Sequence, residues 1–236
     1  QLANAQGNTQ LKVTESAVFK DEISVDMGVL AIHTTSSGKT GLIRANKKNF
    51  LVDVFDKQLN KLTSKVIESD KKESFDGYVS YGQEIKYITV MSPSKRERIV
   101  YCNTFNIENN THAKKQLFTA DVEKGGLFTG RNKRGTNVAI SPNGKYIAIA
   151  TDNIKKNLNS YKVHVFDSET LALVFEKSYQ EDADNYFEPN DLFVDDNATV
   201  YPLGKLYLKG KSEKKEGDAN YEFILNKISK DNYKSL

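Results

Sequence analysis

Two sequence landmarks recur four times along this chain in a fixed order. A period of about sixty residues limits the fold to stacked copies of one supersecondary unit. The first landmark is a β-forming residue, a small or acidic residue and a group of turn formers. It falls at 23–28, 79–84, 140–145 and 193–198, and β-rich runs follow at 29–32, 85–90, 146–150 and 199–203. With Ser24, Ser80, Ser141 and Asp195 as equivalents, the copies lie 56, 61 and 54 residues apart. The second landmark is an apolar run ending in an acid, Leu51-Val52-Asp53-Val54-Phe55-Asp56 and Val163-His164-Val165-Phe166-Asp167, with degenerate copies at 101–106 and 223–229. With Phe55, Phe105, Phe166 and Ile228 as equivalents, the spacings are 50, 61 and 62.

The third unit displays the local physics best. Tyr161, Val163 and Val165 alternate with Lys162, His164 and Phe166, the period-two pattern of a strand packed on both faces. Pro142-Asn143-Gly144 is a turn with a mechanism: proline presets φ, while Asn and Gly tolerate positive φ. It joins 137–140 to 146–150 as a hairpin. Asp167-Ser168-Glu169-Thr170 makes a second turn, into 171–176. The segment 57–66 has a weak helical pattern, but its counterpart 168–177 carries the β-rich Leu171-Ala172-Leu173-Val174-Phe175, so both read as turn plus strand. Each unit is therefore four antiparallel strands, and the expected fold is all-β: a β-propeller with about four blades visible.

The run Ile140-Ser141-Pro142-Asn143-Gly144-Lys145-Tyr146-Ile147-Ala148-Ile149-Ala150, followed by Val163-His164-Val165-Phe166-Asp167-Ser168-Glu169-Thr170, resembles the bacterial non-WD40 propeller repeats of the quinoprotein-like, YVTN-like and PD40-like groups. The fourth unit, with a lysine-rich excursion before Asn220-Tyr221-Glu222-Phe223, is similar to exported Bacteroidetes propellers. The second unit lacks the Pro-Asn-Gly turn and the fourth has Asp195-Asp196-Asn197 there, so the resemblance implies the fold and no particular subfamily.

The expected organisation is a flexible tail over 1–10 and a propeller domain or propeller fragment over 11–236, with units near 17–70, 74–122, 134–179 and 189–236. The last unit reads as short of a fourth strand. A blade alone leaves exposed edges, so the ring must close: either 11–19 supplies the strand and closes a four-bladed ring, or the chain is part of a larger ring, which is favoured because four-bladed rings are the rarer solution. Ala3-Asn4-Ala5 matches the small-x-small pattern before a signal-peptidase site. With the resemblance, it places the protein in the periplasm, at the cell surface or in the medium of a Gram-negative bacterium.

A net charge of +3 from 34 basic and 31 acidic residues argues against nucleic acid as a partner. No apolar run reaches the ~18 residues of a membrane-spanning helix. Cys102 is the only cysteine, which excludes an internal disulfide framework and a cysteine-based zinc site. His33, His112 and His164 lack metal-ligand spacing; the first and third lie in strand patterns and His112 in a polar loop. There is no Gly-x-Ser-x-Gly, His-Glu-x-x-His or phosphate-binding glycine loop, and Gly125-Gly126 reads as a turn between units. Ser24-Val25-Asp26-Met27-Gly28 matches half of a sialidase-type box, but the chain has no tryptophan to complete one.

Candidate binding residues come from the approaches to two inner strands. Glu188, Asn190 and Asp191 precede the fourth unit, and Arg131, Lys133 and Arg134 precede the third; their opposite charges make a bipolar surface suited to a protein partner. No cofactor is expected. The acids at 182–197 offer oxygen ligands for calcium without EF-hand spacing, a subsidiary reading. The leading function is a non-catalytic, exported interaction scaffold. The alternatives are a propeller enzyme (lyase, lactonase or glycosidase) and a module binding calcium or a surface glycan, its tyrosines stacking on sugars.

Overall fold

The computed structural model describes residues 13, 15, 27–46, 49–94, 97–121, 136–152, 159–182, 186–207 and 221–235. They form sixteen strands in four antiparallel sheets and no helix. The first sheet contains β1 (Gly28–Thr34), β2 (Thr40–Ala45), β3 (Asn49–Phe55) and β4 (Lys61–Glu68). The second contains β5 (Glu73–Tyr81), β6 (Glu84–Met91), β7 (Glu97–Asn106) and β8 (Thr111–Asp121). The third contains β9 (Asn137–Ile140), β10 (Tyr146–Asp152), β11 (Asn159–Asp167) and β12 (Leu173–Asp182). The fourth contains β13 (Tyr186–Val194), β14 (Val200–Tyr207), β15 (Tyr221–Ile228) and β16 (Tyr233–Ser235). Strand order follows chain order in every sheet, and β9 lies beside both β5 and β13, so the first strand of each sheet is innermost. This is the arrangement of four propeller blades.

The cores lie between blades. Ala31, Ile43, Val52 and Val54 of blade 1 pack on Ile85, Tyr87 and Phe105 of blade 2. Val79, Ile88, Val100 and Cys102 of blade 2 pack on Ile147, Ile149 and Phe166 of blade 3. Ala148, Ala150, Tyr161, Val163 and Val165 of blade 3 pack on Phe187, Val194, Val200 and Ile228 of blade 4. The alternation in β11 thus divides its side chains between two junctions, Tyr161, Val163 and Val165 toward blade 4 and Phe166 toward blade 2, which is why both faces of the strand are buried.

The second landmark marks the third strand of each blade and carries a polar device. Asp56, Asn106, Asp167 and Ser229 cap the turn that follows, each side chain accepting a backbone N–H two to four residues on: from Gln58 and Asn60 (both 2.8 Å), Asn109 (3.0 Å), Thr170 (2.8 Å) and Asn232 (3.2 Å). Three residues earlier stand Asp53, Asn103, His164 and Asn226, all buried. Each is bonded to a neighbouring strand of its own blade: Asp53 to Arg44 and Ser64, Asn103 to Thr89 and His112, His164 to Glu176, Asn226 to Tyr233. Buried polar groups need such partners.

A second device ties blade to blade. Lys65, Lys115 and Lys177 pair across the sheet with Val52, Cys102 and Val163, one repeat position in three blades. Each reaches carbonyls in the outer turn of the next blade: Lys65 to Asn110 (3.5 Å), Lys115 to Thr170 and Leu171 (2.9 and 3.1 Å), Lys177 to Ser229 and Lys230 (3.3 and 3.2 Å). Recurring at one position, these bonds fix the spacing between neighbouring blades.

Two sequence readings change. The first hairpin turn of blade 1 is Thr35-Ser36-Ser37-Gly38 with Gly38 at φ +88°, and residues 28–34 are its first strand rather than its second. A Thr-Ser-Ser-Gly turn lacks the Pro and Asn that flag the copy in blade 3. Blade 4 is also complete in strands, because β16 pairs with β15 through Ser235, Lys234 and Tyr233. Residues 11–19, the alternative source of a ring-closing strand, lie outside the described residues apart from 13 and 15, as does Gly125-Gly126.

The outward face of blade 4 is open among the described residues. Phe223 occupies the position of Phe50, Val100 and Tyr161; it is 62% exposed where they are at most 5% exposed.

Candidate functional site

Innermost strands border the axis, and here they carry a repeated irregularity. A bulge interrupts the pairing of β1 at Leu30, of β5 at Asp76 and of β13 at Asn190. Thr136 immediately precedes β9, and its neighbour Asn137 pairs with Ala150 as Gly77 pairs with Ile88. Leu30, Asp76, Thr136 and Asn190 therefore occupy one level on four neighbouring inner strands. Bulges re-aim side chains and recur beside functional sites. Asp76 and Thr136 are hydrogen-bonded between blades, the hydroxyl donating, and burial still holds the Asp76 carboxyl above its ordinary value. Asn190 is exposed.

The structure separates the predicted trio Glu188, Asn190 and Asp191. Residues 188–191 lie inside β13, not in a loop before it. Only Asn190 is a bulge residue. Glu188 accepts a hydrogen bond from Tyr207 Oη at 2.9 Å, and Asp191 Oδ1 takes the N–H of Leu192 at 2.8 Å. Asp191 borders an open hollow of about 470 Å³ on the outward face of blade 4, with Phe193, Tyr201, Leu203 and Leu225. Period two within β13 separates these residues, and the bulge resets the alternation at Asn190. Arg131, Lys133 and Arg134 lie outside the described residues.

The histidines have structural surroundings. His33 Nε2 meets the carbonyl of Gly82 at 3.0 Å, across the first junction. His112 is in β8, not a loop, and ends a polar chain across blade 2: Lys114 and Thr89 both donate to Glu73, Asn103 donates to Thr89, and His112 meets Asn103 at 3.1 Å. Burial holds the His112 imidazole below its ordinary pKa. His164 stacks on Phe118 at 3.7 Å, and burial depresses it to about 4 against the opposing pull of Glu176. Cys102 is buried, with a thiol pushed up by that burial to about 11, which makes it a poor nucleophile. Among the described residues, no three His, Cys, Asp or Glu side chains are grouped to hold a metal ion.

Sequence reasoning missed Asp76 and Thr136. The only signal was their equal distance ahead of the inner hairpin turns, legible once the turns are placed.

No family model matches the chain, and no curated protein matches it. Solved structures do. The β-propeller domain of the trilobed protease from Pyrococcus furiosus, described as an open velcro topology, superimposes with a TM-score of 0.50 at 9% identity, over 89% of this chain and 57% of that one. The fold is a β-propeller. The Dos1 propeller (TM-score 0.47, 9% identity) and a prolyl endopeptidase (0.44, 10%) match over 84% and 85% of this chain and 53% and 32% of theirs. The chain thus spans little more than half, or less, of these three structures. No helix among the described residues is long and apolar enough to cross a membrane.

Proposed function

We propose that this chain is a non-catalytic interaction domain that engages a protein partner at the axial level of its bulged inner strands. The observation that carries the reading is the row Asp76, Thr136 and Asn190: polar side chains at one level of strands whose spacing the lysine ties and buried junctions hold fixed. A rigid frame presenting a few polar groups lets a partner bind without a large ordering cost. Arg131, Lys133 and Arg134 lie two to five residues before Thr136 in sequence, and with the acids of the fourth unit they carry the expectation of a bipolar surface. Such a bipolar surface selects partners through charge pairing. An exported location fits Ala3-Asn4-Ala5.

The test uses immobilised protein and extract or medium from source cells, with bound proteins quantified against an Asp76→Asn/Asn190→Lys variant. A partner retained by the native protein and depleted at least ten-fold on the variant is the expected result. Identical recovery on both refutes the placement of the surface.

A further inference from the structure

Lys86 breaks the repeat where two blades meet. On the face that each blade turns to the next, blade 1 pairs Gly41 with Val54, and blade 3 pairs Ala148 with Val165. Blade 2 pairs Lys86 with Thr104 there. The lysine is 8% exposed and ion-paired with Glu84, two residues earlier on the same strand. Burying an ammonium is costly, and one carboxylate leaves donors to spare on a group that has three. Departures of this kind from an otherwise consistent pattern concentrate at functional positions.

The surroundings match. A cleft of about 310 Å³ opens between blades 2 and 3, with Lys86 and Glu84 on one wall, Glu169 on the other, and Val79, Ile140 and Tyr81 supplying apolar surface. All three junctions share the lysine ties, and the other two add hydrogen bonds between their turns. Glu108 of blade 2 takes hydrogen bonds from Thr35 (2.7 Å) and Ser37 (2.6 Å) of blade 1 and an ion pair from Lys39 (3.0 Å). The Asn143 N–H of blade 3 bonds to Asp196 of blade 4 at 2.9 Å. The volume lies at the lower end of the roughly 300–1,000 Å³ of small-molecule sites.

Lys86 paired with Glu84 on one wall and Glu169 on the other give the cleft both signs of charge, which disfavours a simple anion and a simple cation alike. A molecule bearing both charges a few ångströms apart satisfies all three groups. We propose that this cleft binds a free α-amino acid. Its carboxylate sits on Lys86 Nζ, its ammonium on Glu169, and its side chain against Tyr81, Val79 and Ile140.

The experiment is calorimetric titration of the full chain with each of the common amino acids. Propionate and ethylamine serve as half-ligands at matched ionic strength. Saturable binding of at least one amino acid is expected, with both half-ligands at least ten-fold weaker. Lys86→Ala, which recreates the alanine of blade 3, and Glu169→Gln in an exposed turn should each weaken that binding ten-fold or more, with an unchanged circular dichroism spectrum. If Lys86→Ala fails to fold, Glu169→Gln carries the decision alone. No saturation up to about 10 mM, half-ligands as tight as the amino acid, or full affinity in Glu169→Gln would each overturn the assignment.

Discussion

Phe50 and Phe223 are the same residue at the same repeat position in blades 1 and 4, with opposite surroundings. Phe50 is 5% exposed in the first junction, its ring 5.1 Å from that of Tyr87; Phe223 is 62% exposed on the open face of blade 4. Truncation of a buried phenylalanine removes its transfer energy and leaves a cavity, so Phe50→Ala should cost about 3–5 kcal/mol. Little more than a third of Phe223 is covered. At about 25 cal/mol per Å² on a ring of about 200 Å², Phe223→Ala should cost at most about 2 kcal/mol, with no cavity contribution. Equilibrium urea unfolding, followed by far-ultraviolet circular dichroism, separates the two. At a slope of about 2 kcal/mol/M, the midpoints should differ by about 1 M. Equal losses would show that the outward face of blade 4 is covered in solution. A loss below about 1 kcal/mol for Phe50→Ala would refute the inter-blade junctions as the main source of stability.

The remaining expectations are narrower. His164 is neutral in the fold down to about pH 4, while the unfolded chain takes up its proton near the ordinary value of 6.5. Its contribution to stability is therefore whole above 6.5 and is lost as the pH falls toward 4, and denaturant titrations of His164→Phe should show a flatter decline over that window. Gly144 has φ +74° and an added Cβ would lie 2.3 Å from the Tyr81 ring, whereas Gly82 at φ +58° faces open space. Gly82→Ala should cost only the left-handed backbone penalty of about 1–2 kcal/mol, with Gly144→Ala well beyond it in a thermal melt. Cys102 should resist a thiol reagent in the native protein and react fully in urea; native labelling at the denatured rate would contradict its burial.

The all-β class, the four blades and the four-stranded repeat were legible in the sequence, because they follow from local rules; the fourth strand of blade 4 was not, because residues 233–235 are too few to show a period. Period-two alternation in Tyr161, Val163 and Val165, turn formers such as Pro142-Asn143-Gly144 and the recurrence of both landmarks each depend on residues within a few positions. Where the turn chemistry was weaker, at Thr35-Ser36-Ser37-Gly38, the first blade was read out of register. The polar row along the axis was not legible, since a bulge moves one side chain without leaving a period of its own: Glu188, Asn190 and Asp191 are neighbours in sequence and face different surroundings. Lys86 and Glu169 are 83 residues apart and come to line one cleft, and Lys115 and Thr170 are 55 apart and come within hydrogen-bond distance, only when the sheets pack. The sequence by itself determined the repeating strand, its turns and its apolar faces, all set by backbone sterics and burial over short range. Tertiary structure alone decided which polar groups share a junction, because those distances depend on how one sheet stacks on the next.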